Sequence, residues 1–136
     1  MIWSRRSEIR YGREDRVFRH PGEKLAAGHL EANGHTLICH NYHCGAGEID
    51  LVTRDPQGRI HFCEVKAWRP GPVHPLESLS RRRRARMVAT ARIFLEDLEN
   101  RETGEQADIS FDLLWVQPAS GAVEHFEAIF SSDDDA

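Results

Sequence analysis

The sequence predicts a single α/β domain. A segment with helical spacing of apolar residues comes first, and three strand-like segments follow it, the last two joined by a tight turn. A long helical pattern then separates this hairpin from two further strand-like segments. At 136 residues, of which 40% are apolar and 29% charged, the chain has the size of one globular domain with one hydrophobic core.

The individual elements follow from apolar spacing and turn residues. The first helix is predicted after Gly22, because apolar residues recur at helical spacing until Asn33-Gly34 provides a stop. Strands are predicted over HTLICHNYH, EIDLVTR and RIHFCEVKAW, with DPQG as the turn between the last two. The pattern is helical from about Pro75 to Arg101, with an apolar stripe of Met87, Ala91, Phe94, Leu95 and Leu98. Two more strands are predicted in SFDLLWVQ and VEHFEAIF.

Composition and charge limit the functional classes. There is no run of some 18 apolar residues and no apolar secretory signal, so we expect a cytoplasmic protein without a membrane contact. The net charge of −4 argues against a protein that coats nucleic acid through bulk positive charge. The charges are segregated, however, since six arginines fall within residues 5–19, five within 81–86, and aspartates occupy 133–135. We therefore divide the chain into a basic N-terminal arm (1–20), a domain (21–130) and an acidic tail (131–136).

Four charged residues interrupt the two strands around the DPQG turn: Glu48, Asp50, Glu64 and Lys66. A hairpin with its turn near Gln57 places Asp50 opposite roughly Glu64. Two carboxylates about 5 Å apart destabilise each other unless a cation neutralises them. The charges therefore indicate a site for a divalent metal ion.

Strand geometry gives these residues defined positions. Alternation predicts that Glu48 and Asp50 point to one face of their strand, and Ile49 and Leu51 to the other. Carboxylate ligands favour Mg²⁺ or Mn²⁺ over Zn²⁺. Lys66 follows the second carboxylate by about 6.6 Å along the same face, where an ammonium group would lie beside a metal-bound water and a phosphate. This constellation suits phosphodiester hydrolysis.

The pattern D-x13-E-x-K formed by Asp50, Glu64 and Lys66, after a helix that carries Glu23, resembles the PD-(D/E)XK nuclease superfamily. More narrowly, GEKLAAGHLEANGHTLICHNYHCGAGEIDLV, FCEVKAW and SFDLLWV are similar to the YraN family of small bacterial proteins, over roughly residues 21–130. The resemblance implies a restriction-endonuclease-like domain with a mixed sheet flanked by helices. It also implies a metal site at Asp50 and Glu64, a catalytic role for Lys66, and Glu23 as an additional acidic residue. The short layout is shared with Holliday junction resolvases, which is an analogy and not an indication of junction cleavage.

Each acidic candidate also has a structural explanation. Asp50, Glu64 and Lys66 would form a cross-strand ion pair on an exposed face. Glu23, near a helix N-terminus, would interact favourably with the helix dipole. Glu48 is a candidate metal ligand one pleat before Asp50, with a supporting or surface role as the alternative.

The arginine-rich helix is a candidate DNA contact. Arg82 with Arg86, and Arg81 with Arg84, can each share a helix face, and guanidinium groups suit phosphates. A solvated helix face is the alternative. The cluster CHNYHC (39–44) suggests zinc, but in a strand its first cysteine and last histidine lie about 13 Å apart, too far to share an ion.

We predict a DNA nuclease that depends on Mg²⁺ or Mn²⁺. In this hypothesis Asp50 and Glu64 hold the metal, Lys66 positions the attacking water, and Glu23 and Glu48 support the metal. A non-catalytic nucleic-acid-binding or assembly module that keeps the nuclease fold is the main alternative. A scaffold whose charged strands pair at a dimer interface is the third. The sequence leaves open the shape of the DNA, branched or damaged structures included, and whether the protein forms a homodimer.

Overall fold

The structure, a computed structural model, describes residues 17–101 and 108–132. In chain order its elements are α1 (Pro21–Ala32), β1 (Thr36–Cys44), β2 (Gly47–Arg54), β3 (Ile60–Ala67), a 3-10 helix (Pro75–Ser78), α2 (Arg81–Arg101), β4 (Ile109–Val116) and β5 (Val123–Phe130). The expected basic arm lies outside the described residues up to residue 16, and the expected acidic tail lies outside them from residue 133.

The five strands form one mixed sheet in the order β1 to β5. Three neighbouring pairs are antiparallel, and β3 and β4 are parallel. Parallel neighbours need a crossover connection, which α2 provides. The predicted class, an α/β domain with a central mixed sheet flanked by helices, is confirmed. It is the layout that the resemblance to restriction-endonuclease-like proteins implied.

Each helix packs on one side of the sheet with its own apolar cluster. The α1 cluster combines Ala26 and Leu30 of the helix with Cys63 and Leu114 of the sheet. Adjacent strand residues alternate between the two sides, as Cys63 and Phe62 do, so both sides of the sheet are covered. The predicted stripe of α2 is confirmed, because its cluster contains Met87, Ala91, Phe94 and Leu98, with Leu95 packed against them.

The long helical segment begins later than predicted. Residues Pro75–Ser78 form a separate 3-10 helix, and the next residue, Leu79, is extended and buried. Ser80 then starts α2, because its hydroxyl accepts a hydrogen bond from the backbone N–H of Arg83 at 3.1 Å. The sequence signal for this start is the serine that precedes the arginines. Neither of the two described helices combines the length and the apolar composition that a bilayer-spanning segment requires.

The predicted alternation in β2 is wrong at one point. Ile49 belongs to the α2 cluster and Leu51 to the α1 cluster, although they are two positions apart and should share a face. The cause is a local distortion of the β1–β2 ladder. The register places Asn41 opposite Asp50, but Asn41 has a left-handed φ of 50° and the two residues do not form a ladder pair. The strand therefore turns about Asp50, the residue on which the predicted site depends.

Candidate metal centre

Charged side chains from both helices and from β2 and β3 surround an open cleft of about 800 Å³. This cleft is lined by the four acidic residues that the sequence analysis identified as candidates. They are Glu23 from α1, Glu48 and Asp50 from β2, and Glu64 from β3. The structure thus brings the predicted acidic residues together.

Asp50 lies where β2 and β3 separate. The ladder between these strands ends at Leu51 and Cys63, and the next step of the same register places Asp50 opposite Glu64, as the sequence predicted. The strand pairing does not continue there. Instead, the Asp50 carboxylate accepts a hydrogen bond from the backbone N–H of Val65 at 2.8 Å. The carboxylate therefore satisfies a backbone donor that the strand pairing leaves open.

The environment of Asp50 disfavours its charge. Burial raises the pKa of Asp50 to about 7, and the carboxylates of Glu64 and Glu23 act in the same direction. The hydrogen bond from Val65 and the guanidinium of Arg83 act against the increase. A carboxyl group whose pKa is raised in a cleft by burial and by other carboxylates is typical of a functional site.

Glu64 is buried and has two cationic partners. Arg83 Nη2 lies 2.5 Å from Glu64 Oε1, and Lys66 Nζ lies 3.3 Å from Glu64 Oε2. The like charges predicted to face each other across the hairpin are therefore compensated at Glu64 by protein cations. Arg83 was missed in the sequence, where it was indistinguishable from its arginine neighbours.

Two local features bring Arg83 to the sheet. The Ser80 cap fixes the first turn of α2, and Gly47 lets β2 approach the helix closely one to two turns further along. Gly47 has φ +153°, and a Cβ there would lie 3.0 Å from Thr90 Oγ1 of α2. As a result Arg83 also donates to the backbone carbonyl of Glu48 at 3.1 Å.

Glu23 and Glu48 differ in their surroundings. Glu23 is buried in the first turn of α1, where its carboxylate accepts a hydrogen bond from Asn41 Nδ2 at 3.1 Å. Asn41 is the left-handed residue that distorts the sheet at Asp50, so the same distortion serves two acidic side chains. Glu48 lies at the more exposed side of the cleft and forms an ion pair with Arg19.

Lys66 lies at the end of β3, between an acid and an aromatic ring. Besides its contact with Glu64, its ammonium lies 5.5 Å from the centre of the Trp68 ring. Trp68 is held in turn, because its backbone carbonyl accepts a hydrogen bond from Trp115 Nε1 at 2.8 Å. About a quarter of the Lys66 side chain, 23%, is exposed, so the side chain is partly open to solvent.

The four arginines selected from the sequence take different positions. Arg81, Arg82 and Arg86 are exposed on the first turns of α2, and Arg86 also lines the cleft. Arg84 is half-buried, with its guanidinium carbon 5.9 Å from the centre of the Phe130 ring. Of the exposed arginines, Arg86 therefore lies beside the acidic residues and Arg81 and Arg82 lie outside the lining of the cleft, whereas Arg84 packs against the end of β5.

The donor set of the cleft suits a hard divalent ion. Asp50 and Glu64 would be the protein ligands, and Mg²⁺ commonly takes one or two carboxylates and keeps several waters. Among the residues described, three side chains with potential ligand atoms within 4.8 Å of one another occur outside this cleft. They are His61, Asp112 and His125. An ion in the cleft would accordingly complete its coordination with water.

The group of His61, Asp112 and His125 was also missed in the sequence. Burial lowers the pKa of His61, but hydrogen bonds to Asp112 and Asp55 outweigh it, and the pKa of His61 is raised. Burial raises the pKa of Asp112, but hydrogen bonds with His125, His61 and Ser110 outweigh it, and the pKa falls well below the ordinary range. The available signal was the placement of His61 and Asp112 inside otherwise apolar strands.

The fold and the cleft define an α/β protein in which buried carboxylates and arginines converge where two strands of a mixed sheet separate. Residues 22–116 match the uncharacterised protein family UPF0102, and the chain belongs to this family. The family resemblance noted from the sequence is thereby confirmed.

Relatives in several bacteria have similar sequences. A UPF0102 protein of Herpetosiphon aurantiacus is 34% identical over 79% of this chain and 89% of its own. One of Acidothermus cellulolyticus is 42% identical over 56% of this chain and 58% of its own, and one of Desulfosudis oleivorans is 30% identical over 90% and 91%. Among solved structures, a chain of the EndoMS–dsDNA2 complex is similar at 17% identity and a TM-score of 0.30, over 68% of this chain and 36% of that chain.

Proposed function

We propose that this protein is a nuclease that hydrolyses phosphodiester bonds in DNA with Mg²⁺ or Mn²⁺. The observation that supports this most is the convergence of Asp50, Glu64 and Glu23 in the cleft, where burial first and the two neighbouring carboxylates second raise the pKa of Asp50 to about 7. Charges of one sign assembled in a cleft are unfavourable in the absence of a cation, and oxygen donors match hard divalent ions.

Asp50 and Glu64 are the proposed metal ligands, and Glu23 and Glu48 support the charge of the site. When bound, the metal supplies a nucleophilic water and polarises the phosphate. Glu23 does not need to move for this role, since Asn41 holds its carboxylate in place. Val65 does the same for Asp50 through its backbone N–H.

Lys66 is the proposed catalytic lysine. Its ammonium lies 3.3 Å from Glu64 Oε2, so it is adjacent to a proposed ligand and partly open to solvent. In this position Lys66 Nζ can hold the attacking water by a hydrogen bond and stabilise the negative charge that develops on the phosphate oxygens.

Arg83 is proposed to exchange partners during binding. Arg83 contacts Glu64 Oε1, a carboxylate oxygen that would be needed to coordinate the metal ion. Displacement from Glu64 would free the guanidinium at the wall of the cleft, where it could contact a DNA phosphate. Arg86 lines the same cleft, and Arg81 and Arg82 extend the positive charge along α2. Arg84 was also selected as a DNA contact and remains a candidate on charge alone.

The alternative function is a DNA-binding or assembly module without catalysis. One observation favours it: Arg83 and Lys66 already compensate Glu64, so the fold does not need a metal to neutralise this residue. A module of this kind would use the arginines of α2 and the cleft for binding and would not respond to Mg²⁺ or Mn²⁺.

Incubation with labelled DNA distinguishes the two functions. The substrates are duplex, single-stranded, flap and four-way-junction oligonucleotides, each with Mg²⁺, with Mn²⁺ and with a chelator. We expect metal-dependent cleavage of at least one substrate by the wild-type protein, and loss of that cleavage in Asp50→Asn and Glu64→Gln. Asp108→Asn, at an exposed position before β4, is the matched control. Tight DNA binding without cleavage in either metal would support the module and contradict the nuclease.

A further inference from the structure

A second group of polar side chains lies inside the sheet, apart from the acidic cleft. His61 of β3 and Asp112 of β4 are fully buried, and the His125 side chain of β5 is 13% exposed. Three neighbouring strands thus each contribute one potential metal ligand at the same place. None of the three lines the acidic cleft.

The ligand atoms of this group are already close together. Asp112 Oδ2 lies 2.7 Å from His61 Nδ1 and 2.7 Å from His125 Nε2. All three atoms lie within 4.8 Å of one another. In a tetrahedral zinc site with bonds of about 2.1 Å, neighbouring ligand atoms are about 3.4 Å apart. Each hydrogen-bonded contact would therefore lengthen by about 0.7 Å around an ion.

The groups behind the ligands have the arrangement that metal sites require. His61 Nε2 lies 2.9 Å from Asp55 Oδ2, so the ring presents one nitrogen to the site and the other to a carboxylate. Metal-bound histidines are commonly oriented by such a carboxylate. Asp55 is fixed in turn by the N–H groups of Gln57 and Arg59, at 2.9 and 3.0 Å from its other oxygen.

Asp112 is oriented in the same manner. Its Oδ1 accepts hydrogen bonds from Ser110 Oγ at 2.5 Å and from the backbone N–H of Ala128 at 3.2 Å. Ala128 has a left-handed φ of 52°, and the β4–β5 register shifts between Phe111 and Leu113. The irregular backbone of β5 therefore supplies one of the donors that leave Oδ2 directed at the two histidines.

We propose that His61 Nδ1, Asp112 Oδ2 and His125 Nε2 bind one Zn²⁺ ion, which joins β3, β4 and β5. Two imidazoles and one carboxylate are ligands that zinc accepts, whereas Mg²⁺ prefers an all-oxygen set. The site is independent of the nuclease proposal, because it shares no residue with the acidic cleft and differs from it in metal preference.

Charge supports an ion at this position. The carboxylates of Asp55 and Asp112 both contact the His61 ring, so the electrostatic field at this position favours a cation. A zinc ion at His61 Nδ1 would supply this positive charge, while a proton on Nε2 would remain bonded to Asp55.

Cobalt spectroscopy tests the site on the full chain. After metal removal with a chelator, Co²⁺ is titrated and its visible absorption is recorded, and Zn²⁺ affinity is measured by competition with a chromophoric chelator. We expect one ion per chain with visible bands typical of a four-coordinate ion, which Zn²⁺ displaces and Mg²⁺ does not. Any Co²⁺ held by the acidic cleft should be released by Mg²⁺ and should be absent from Asp50→Asn. The bands should persist in Asp50→Asn and in the control His43→Ala, a histidine of the acidic cleft.

Substitutions around the site should weaken binding in order of distance. His125→Ala should remove the bands, since it deletes a ligand at the most exposed of the three positions. Asp55→Asn should lower Zn²⁺ affinity by about 10- to 100-fold, because an amide facing His61 Nε2 favours the tautomer with its proton on Nδ1. If His125→Ala does not fold, X-ray absorption of the wild-type zinc protein decides. Two imidazole ligands are expected. A zinc site with fewer than two imidazole ligands would overturn the proposal. So would the absence of stoichiometric binding, or the loss of the cobalt bands in Asp50→Asn.

Discussion

Replacement of Asp50 by asparagine should stabilise the metal-free protein. The asparagine would keep the shape of the side chain and an oxygen that can accept the 2.8 Å hydrogen bond from Val65. It would remove a negative charge that burial, Glu64 and Glu23 disfavour. A change that commonly destabilises proteins is therefore expected to have the opposite effect here.

The pKa of Asp50 sets the size of this effect. A rise from 3.8 to about 7 corresponds to an upper limit of about 4 kcal/mol, at 1.36 kcal/mol per pKa unit. Because Asp50 shares the repulsion with Glu64 and asparagine adds amide donors to the cleft, we expect about half of this limit, roughly 2 kcal/mol at pH 7.5. With an unfolding entropy of about 2.1 cal/mol/K per residue over the 136 residues, this raises Tm by about 7 °C.

The pH dependence of stability is the assay that isolates the cause. Folded Asp50 holds its proton more tightly than unfolded Asp50, so wild-type stability should fall relative to the variant as pH rises from about 4 to about 7. Above that range the difference should be constant. Urea unfolding at several pH values measures it, with Asp108→Asn as the exposed control. Equal stability of Asp50→Asn and wild type at pH 7.5, or a difference independent of pH, would refute the reasoning.

Three further outcomes are expected. Lys66→Ala should leave Mn²⁺ binding and DNA binding largely intact but lower the single-turnover cleavage rate by orders of magnitude. Lys66→Met should have the same effect, because both variants lose the positive charge that stabilises the transition state. Arg82→Ala with Arg86→Ala should weaken DNA binding and reduce its dependence on salt, as fewer counterions are released. Arg83→Gln should destabilise the metal-free protein by about 1 to 3 kcal/mol in urea unfolding, since buried Glu64 loses its closest cation, and Mn²⁺ should recover most of the loss.

Each of these outcomes has a control. Arg92→Ala removes an exposed arginine further along α2 and should change DNA binding less than the double variant does. Cleavage that survives Lys66→Ala would contradict the proposed lysine, and an unchanged salt slope would assign Arg82 and Arg86 to a solvated helix face. If Mn²⁺ fails to stabilise Arg83→Gln, the proposed exchange of partners at Glu64 is wrong.

The fold could be read largely from local patterns. The DPQG turn and the apolar runs on either side determine the β2–β3 hairpin, and its register follows from the turn length alone. This is why the position of Asp50 opposite Glu64 is predictable, although the strand pairing itself ends one residue earlier. The start of α2 was misjudged because a proline-led 3-10 turn has the same short-range spacing as a helix. The extended, buried Leu79 that separates the two depends on the tertiary packing.

The site could be predicted only in part, since some contacts depend on distant packing. The position of Arg83 depends on how closely α2 approaches Gly47, and five arginines in six residues give no sign of which one faces the sheet. The meeting of His61 with His125 requires the parallel β3–β4 register and the irregular β4–β5 pairing together. The alternation of apolar and polar residues along a strand reveals neither the β3–β4 register nor the irregular β4–β5 pairing.

A crystal soaked in Mn²⁺ and measured for anomalous scattering tests the metal centre most directly. We expect a manganese peak in the acidic cleft, within about 2.3 Å of a carboxylate oxygen of Asp50 and of Glu64. The side chain of Arg83 should have left Glu64 Oε1 in the same map, and crystals of Asp50→Asn should lack the peak. Crystals of the wild-type protein without a peak at these carboxylates, and with Arg83 still bound to Glu64 at millimolar Mn²⁺, would contradict the account.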